Sequence, residues 1–186
     1  MHCVKSEQTI EDTIKKSRFI GFIVPCDKET IALQHLQQLH RQYANASHIA
    51  FAYRFLTEKG IIYRFHDAGE PSGTAGKPIF QHLEGKDLIN VLIAVIRYFG
   101  GIKLGAGGLT RAYGNTAKKV IEIAEVFPFI ERTTVVVELD YKQLQQLEYQ
   151  LEKLHGKILK KDFSDTIKLT ISLPSDHLVD LKQILD

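Results

Sequence analysis

The glycines and cations of residues 97–114, RYFGGIKLGAGGLTRAYG, are the residues of this chain whose types and spacing best suit chemistry. Gly100, Gly101, Gly105, Gly107 and Gly108 let the backbone take φ > 0 or approach a partner closely. Between Arg97 and Lys119 stand five cations, Arg97, Lys103, Arg111, Lys118 and Lys119, and no acidic residue. A glycine-rich turn between a strand and a helix offers free amide donors and the positive end of a helix dipole, so the segment suits an anion. Two known phosphate loops are excluded. Gly-x-x-x-x-Gly-Lys-Ser/Thr is absent, and the GxGxxG-like run from Gly105 has Thr110 where its third glycine belongs. The competing use of these glycines is close strand–helix packing.

A second candidate is the stretch Gly69-Glu70-Pro71-Ser72-Gly73-Thr74-Ala75-Gly76, within a loop read from Asp67 to Lys77. Its glycines and hydroxyls suit an oxygen-rich ligand or a nest of backbone amides. The alternative is a surface loop whose hydroxyls bond to itself. Asp67, Glu70, Ser72 and Thr74 are the binding candidates here, with His48 at a strand start beside them. Gly-x-Ser-x-Gly is absent, which excludes a nucleophile elbow. The eight histidines are scattered, without HExxH or clustered cysteines. No metal site, cofactor or catalytic residue is therefore expected.

The elements that must position these loops are legible from periodicity. Leu88 to Phe99 is almost wholly apolar and reads as a central strand buried on both faces. A helix follows Gly108, with Leu109, Ala112, Ala117, Val120, Ile121 and Ala124 on its apolar face. Residues 8–26 read as two strands about Lys15-Lys16-Ser17. Asp27 suits the N-cap of a helix over about 28–43, and His48–Leu56 with Ile61–His66 reads as a hairpin. Phe127-Pro128-Phe129 marks a break. Beyond it come a strand (Thr133–Leu139), a helix (Lys142–His155) stopped by Gly156 at C′, a hairpin (157–163 and 166–173) and a last helix capped by Ser175. That order, β-α-β-β-α, is a ferredoxin-like split unit with its last strand missing. The reading is α+β in two domains, about 1–127 and 128–186.

Charge separates the two halves. Residues 129–186 carry 8 Lys+Arg against 10 Asp+Glu, so the overall +2 conceals a basic first part and an acidic second. A protein-wide field for nucleic acid is excluded, and any such footprint is local. Cys3 and Cys26 are the only cysteines and show no CxxC spacing, which reads as two reduced thiols. The polar amino end lacks the apolar core of a signal peptide, and no apolar run reaches membrane-span length. The expected location is cytoplasmic, with no membrane partner.

Four motifs in order, Ser17-Arg18-Phe19-Ile20, Ala46-Ser47-His48 with Ala52-Tyr53-Arg54, GEPSGTAGKP from Gly69, and the Arg97–Gly114 run, resemble the IMPACT family in its bacterial YigZ-like branch. The likeness covers about residues 14–126. The second-domain pattern is similar to the small ferredoxin-like domain of these bacterial members, itself resembling an elongation factor G domain. The sequence departs at two positions. Ala68 stands where the family reads a second Asp before Gly-Glu-Pro, and Ile49 follows His48 where a polar residue is usual.

The resemblance implies a first domain folded like the second domain of small-subunit ribosomal protein five, and a role around translation. Eukaryotic relatives bind a ribosome-associated activator of an initiation-factor kinase. Three functions follow as expectations: a non-enzymatic RNA- or ribosome-binding module, a small enzyme or nucleotide-binding protein using both loops as a phosphate pocket, and a protein-interaction regulator. An open basic face favours the first and a closed pocket the second.

Overall fold

The computed structural model describes residues 1–185, in two units, Met1–Phe129 and the residues from Ile130 onward. The first unit is built on a five-stranded antiparallel sheet ordered β2(Gln8–Ile14)–β3(Ser17–Pro25)–β6(Val91–Tyr98)–β4(His48–Thr57)–β5(Gly60–His66). β6 is central because its Val, Leu and Ile side chains cover both faces. Ile93 and Val95 pack with Ile79 and Leu83 of α2(Gly76–Gly85) and with Leu109, Tyr113, Ala117 and Val120 of α3(Gly105–Ile123). Leu92, Ala94 and Ile96 pack on the opposite side with Ala32, Leu36 and Leu39 of α1(Glu29–Gln42). The strand's two-residue side-chain period thus feeds two cores.

Four features depart from the sequence reading. The proposed loop ends at Gly76, where α2 begins, because Pro78 falls in the first helical turn, in which a missing N–H breaks no bond. Val126–Pro128, read as part of a break, is a strand (β7) paired with β1(His2–Val4). Three residues are too few to show an alternation, and the partner lies at the far end of the unit. α1 starts from Lys28, not Asp27, without a side-chain cap. Gly105, Gly107 and Gly108 belong to the first turn of α3, which begins earlier than its apolar pattern suggests.

The second unit orders its strands β8(Arg132–Leu139)–β10(Ile167–Pro174)–β9(Lys157–Phe163), with β10 antiparallel to both. Leu147 and Leu151 of α4(Leu144–Lys153) and Leu181 of α5(Leu178–Leu185) cover one face. This is the split order expected, and no fourth strand occurs among the described residues. Two local readings shift. His155, not Gly156, takes the left-handed C′ position at φ 51°, and Gly156 N–H closes the motif on Leu151 C=O at 2.7 Å. The Ser175 hydroxyl meets Thr133 Oγ1 at 2.8 Å and caps no helix.

Candidate functional site

Arg97 shares the β6 face that carries Ile93 and Val95, so the pleat aims it at α3. There its Nη1 donates to Glu70 Oε1 at 2.7 Å, and Tyr113 of α3 donates its hydroxyl to the same oxygen at 2.7 Å. Both side chains of the ion pair are deeply buried, at 6% and 3% exposure. The guanidinium carbon lies 5.5 Å from the ring centres of both Phe19 and Phe99. Its Nη2 reaches Ser17 Oγ at 3.4 Å, while the buried Nε has no partner among the described residues. Burial and the neighbouring Glu70 carboxylate push the Tyr113 phenol far above its ordinary value, so it remains a donor. The expected basic surface of Arg97, Lys103 and Arg111 is therefore altered: the Arg97 charge is spent internally.

The loop between β5 and α2 divides its labour. Asp67 accepts from the backbone N–H of Gly73 (2.9 Å), Ala75 (3.0 Å) and Gly76 (2.8 Å), and Thr74 Oγ1 donates to Pro71 C=O. These two candidates hold the loop itself. Ser72 is exposed, and its hydroxyl makes no hydrogen bond among the described residues. Glu70 alone of the four is delivered inward. His48 Nδ1 meets Ala68 C=O at 2.9 Å, placing Nε2 3.8 Å from Glu70 Oε1.

Burial by itself would raise the Asp67 carboxyl, but the three backbone donors together outweigh it and hold the group below the usual carboxylate range. A depressed folded value adds stability above the unfolded value of about 3.9, and that stability is lost as pH falls through the folded one. Asp67→Asn is accordingly expected to flatten the acid side of the stability profile. Urea midpoints of both proteins between neutral and strongly acidic pH check this; parallel profiles would count against it.

The glycines separate by role. Gly101 and Gly105 take φ of 85° and 71°, whereas Gly107 and Gly108 do not have positive φ. Gly100 is needed for contact: a Cβ there would stand 1.9 Å from Lys16 C=O oxygen, and its N–H donates to Ser17 Oγ at 3.2 Å. Lys15 and Lys16, at φ 45° and 66°, form the tight turn between β2 and β3 that this loop presses against.

The two glycine-rich segments meet. A cavity of about 300 Å³ is lined by Glu70, Pro71 and Arg97 on one side and by Phe99 and Lys103–Ala106 with Leu109 on the other. A second, of about 430 Å³, adjoins it across Leu104 and holds Lys15, Gly108, Arg111, Asn115 and Lys119. Lys119 is bound to Asp12 and Lys118 to Glu122. Lys15, Lys16, Lys103 and Arg111 are exposed and form no ion pair among the described residues. Sequence reasoning missed Ser17, Phe99, Tyr113 and the Lys15–Lys16 turn as parts of the site. The cluster of cations was visible for Lys103 and Arg111, but no local signal joins residue 15 to residue 111.

A family model described as "Impact N-terminal domain" matches residues 15–121, and a "Domain of unknown function (DUF1949)" matches residues 137–185. An IMPACT family member of Haemophilus influenzae is 35% identical over 91% of this chain and 82% of its own length. The IMPACT family member YvyE of Bacillus subtilis is 36% identical over 89% of this chain and 76% of its own. The crystal structure of a hypothetical protein superposes with a TM-score of 0.73 at 29% identity, covering 99% of this chain and 90% of the other.

Proposed function

The chain belongs to the IMPACT family, and from that premise we propose that its first unit is a non-enzymatic RNA- or ribosome-binding module with a role in regulating translation. The observation that carries this reading is the set of four exposed, unpaired cations, Lys15, Lys16, Lys103 and Arg111, around the start of α3. Lys103 lines one, and Lys15 and Arg111 the other, of two adjoining open cavities, with Lys16 beside them in the same turn as Lys15. The first helical turn of α3 contains no acidic residue and no side-chain cap, so its free amide donors add to the same positive field. Glu70 belongs with Arg97 and Tyr113 to a buried, neutralised cluster that orders this face, with the half-buried His48 at its edge. No described helix is long and apolar enough to cross a membrane.

The test is binding of single-stranded RNA by the full chain across a salt series. Four phosphate contacts predict a slope of log K against log salt of about −2.8, at about −0.7 per contact on single strands. The charge-removing variant Lys15→Asn, Lys16→Gly, Lys103→Ala, Arg111→Ala keeps the turn, because Asn and Gly tolerate positive φ better than lysine. It should melt normally while losing most of the slope and of the affinity at low salt. Wild-type affinity and slope in this variant would defeat the proposal.

A further inference from the structure

The smaller cavity has walls that phosphate binding does not explain. Pro71, Leu104, Ala106 and Leu109 make it mostly apolar, Phe99 forms one side with half its surface exposed, and Lys103 stands at the rim. At about 300 Å³ it lies at the lower end of the ~300–1,000 Å³ that ligand pockets span, which suits one planar heterocycle. Its polar floor is the Glu70–Arg97 pair. Glu70 Oε1 already accepts two hydrogen bonds, from Arg97 and Tyr113. Oε2 accepts no hydrogen bond among the described residues, and the side chain is only 3% exposed. A carboxylate oxygen left free beside an apolar slot with an aromatic wall asks for a flat group that carries an N–H donor.

We infer that this cavity receives one unstacked base of a single-stranded RNA, bearing an exocyclic amino group, with its ring against Phe99. The inference rests on the RNA-binding reading above and adds a sequence preference to it. An amino group of adenine, cytosine or guanine donates to Oε2. Uracil has no amino group, and its single N3–H donor is flanked by two carbonyl oxygens that repel the carboxylate, so it is disfavoured. Arg97 fixes the carboxylate's orientation from the far side. The backbone phosphates of the same strand then lie toward Lys103 and, across Leu104, toward Arg111 and Lys15, which matches the direction in which the two cavities adjoin. Splayed bases stacked on aromatic side chains, with their edges read by hydrogen bonds, are the usual mode for single-stranded RNA.

The experiment measures fluorescence anisotropy of labelled oligo(A), oligo(C) and oligo(U) of equal length with the full chain and with Phe99→Ala. Phe99 is 50% exposed, and the variant's melting temperature is recorded alongside. Oligo(A) and oligo(C) should bind about tenfold more tightly than oligo(U), the scale of a single good base contact. Phe99→Ala should weaken oligo(A) about tenfold, as loss of base stacking does, with the salt slope unchanged because no charge is removed. Equal affinity for all three oligomers, or undiminished oligo(A) binding by a normally folded Phe99→Ala, overturns the base pocket and leaves the cationic face standing. No binding to any oligomer at low salt overturns both.

Discussion

Glu70→Ala should destabilise the first unit by about 3–5 kcal/mol, the cost of leaving one member of a buried ion pair alone. Arg97 is 5% exposed and lies against Phe19 and Phe99, so its charge would be left buried without a counter-charge. The Tyr113 hydroxyl, fully buried, would lose its acceptor as well. The double variant Glu70→Ala, Arg97→Met removes the charge together with its counter-charge and fills the guanidinium site with an apolar chain. It should be clearly less destabilised than Glu70→Ala alone, since apolar replacements of whole buried pairs are often neutral. Urea unfolding of the wild type, both single variants and the double variant completes the cycle. A Glu70→Ala change within about 1 kcal/mol of wild type, the range of an exposed pair, would show that the cluster is not the buried anchor described. This result also bears on function: the loop carrying Glu70 and the loop carrying Lys103 are held against one another through this pair.

Gly100→Ala is the second change with a large expected effect. The added Cβ would fall 1.9 Å from the Lys16 carbonyl oxygen and 2.4 Å from the Ser17 nitrogen, both backbone atoms. No rotamer relieves such an overlap, so the β2–β3 turn and the 99–104 loop must separate by about an ångström or more. The hydrogen bond from Gly100 N–H to Ser17 Oγ would go with it. We expect a loss of about 3 kcal/mol, at the upper end of the ~1–3 kcal/mol typical of overpacking. RNA affinity should fall too, because Lys15 and Lys16 would move away from Lys103. Gly107→Ala gives the opposite sign. Its Cβ would meet only the far end of the Arg111 side chain at 3.6 Å, and alanine is favoured over glycine within a helix by up to about 1 kcal/mol. Melting curves of the two variants should therefore move in opposite directions. If Gly100→Ala is neutral, the close approach is not what fixes this glycine.

The sequence by itself determined most of the strands, most of the helices and both glycine-rich segments, because each rests on a local pattern. β6 is apolar at nearly every position, α3 repeats its apolar residues at helical spacing, and the polar Lys15-Lys16-Ser17 separates two strands within residues 8–26. The division of charge between the two halves was equally plain. What stayed hidden depends on partners far apart in the chain. β1 and β7 are three residues each; they pair with one another, and β1 also hydrogen-bonds to the 87–89 segment. Gly76 and Pro78 look like loop residues until α2 packs on the sheet.

The site shows the same boundary between local and long-range information. Arg97, Lys103 and Arg111 look alike in sequence as cations near glycine. The sheet pleat turns Arg97 inward to Glu70, whereas Lys103 and Arg111 remain in solvent, and a charge's environment is set by what folds over it. Asp67 and Glu70, three residues apart, part company for the same reason. One carboxylate collects the amides of its own loop, and the other is carried to a β6 arginine and an α3 tyrosine. Residue types thus named the groups able to do chemistry, and only the tertiary contacts decided which were neutralised within the protein and which were left to meet a partner.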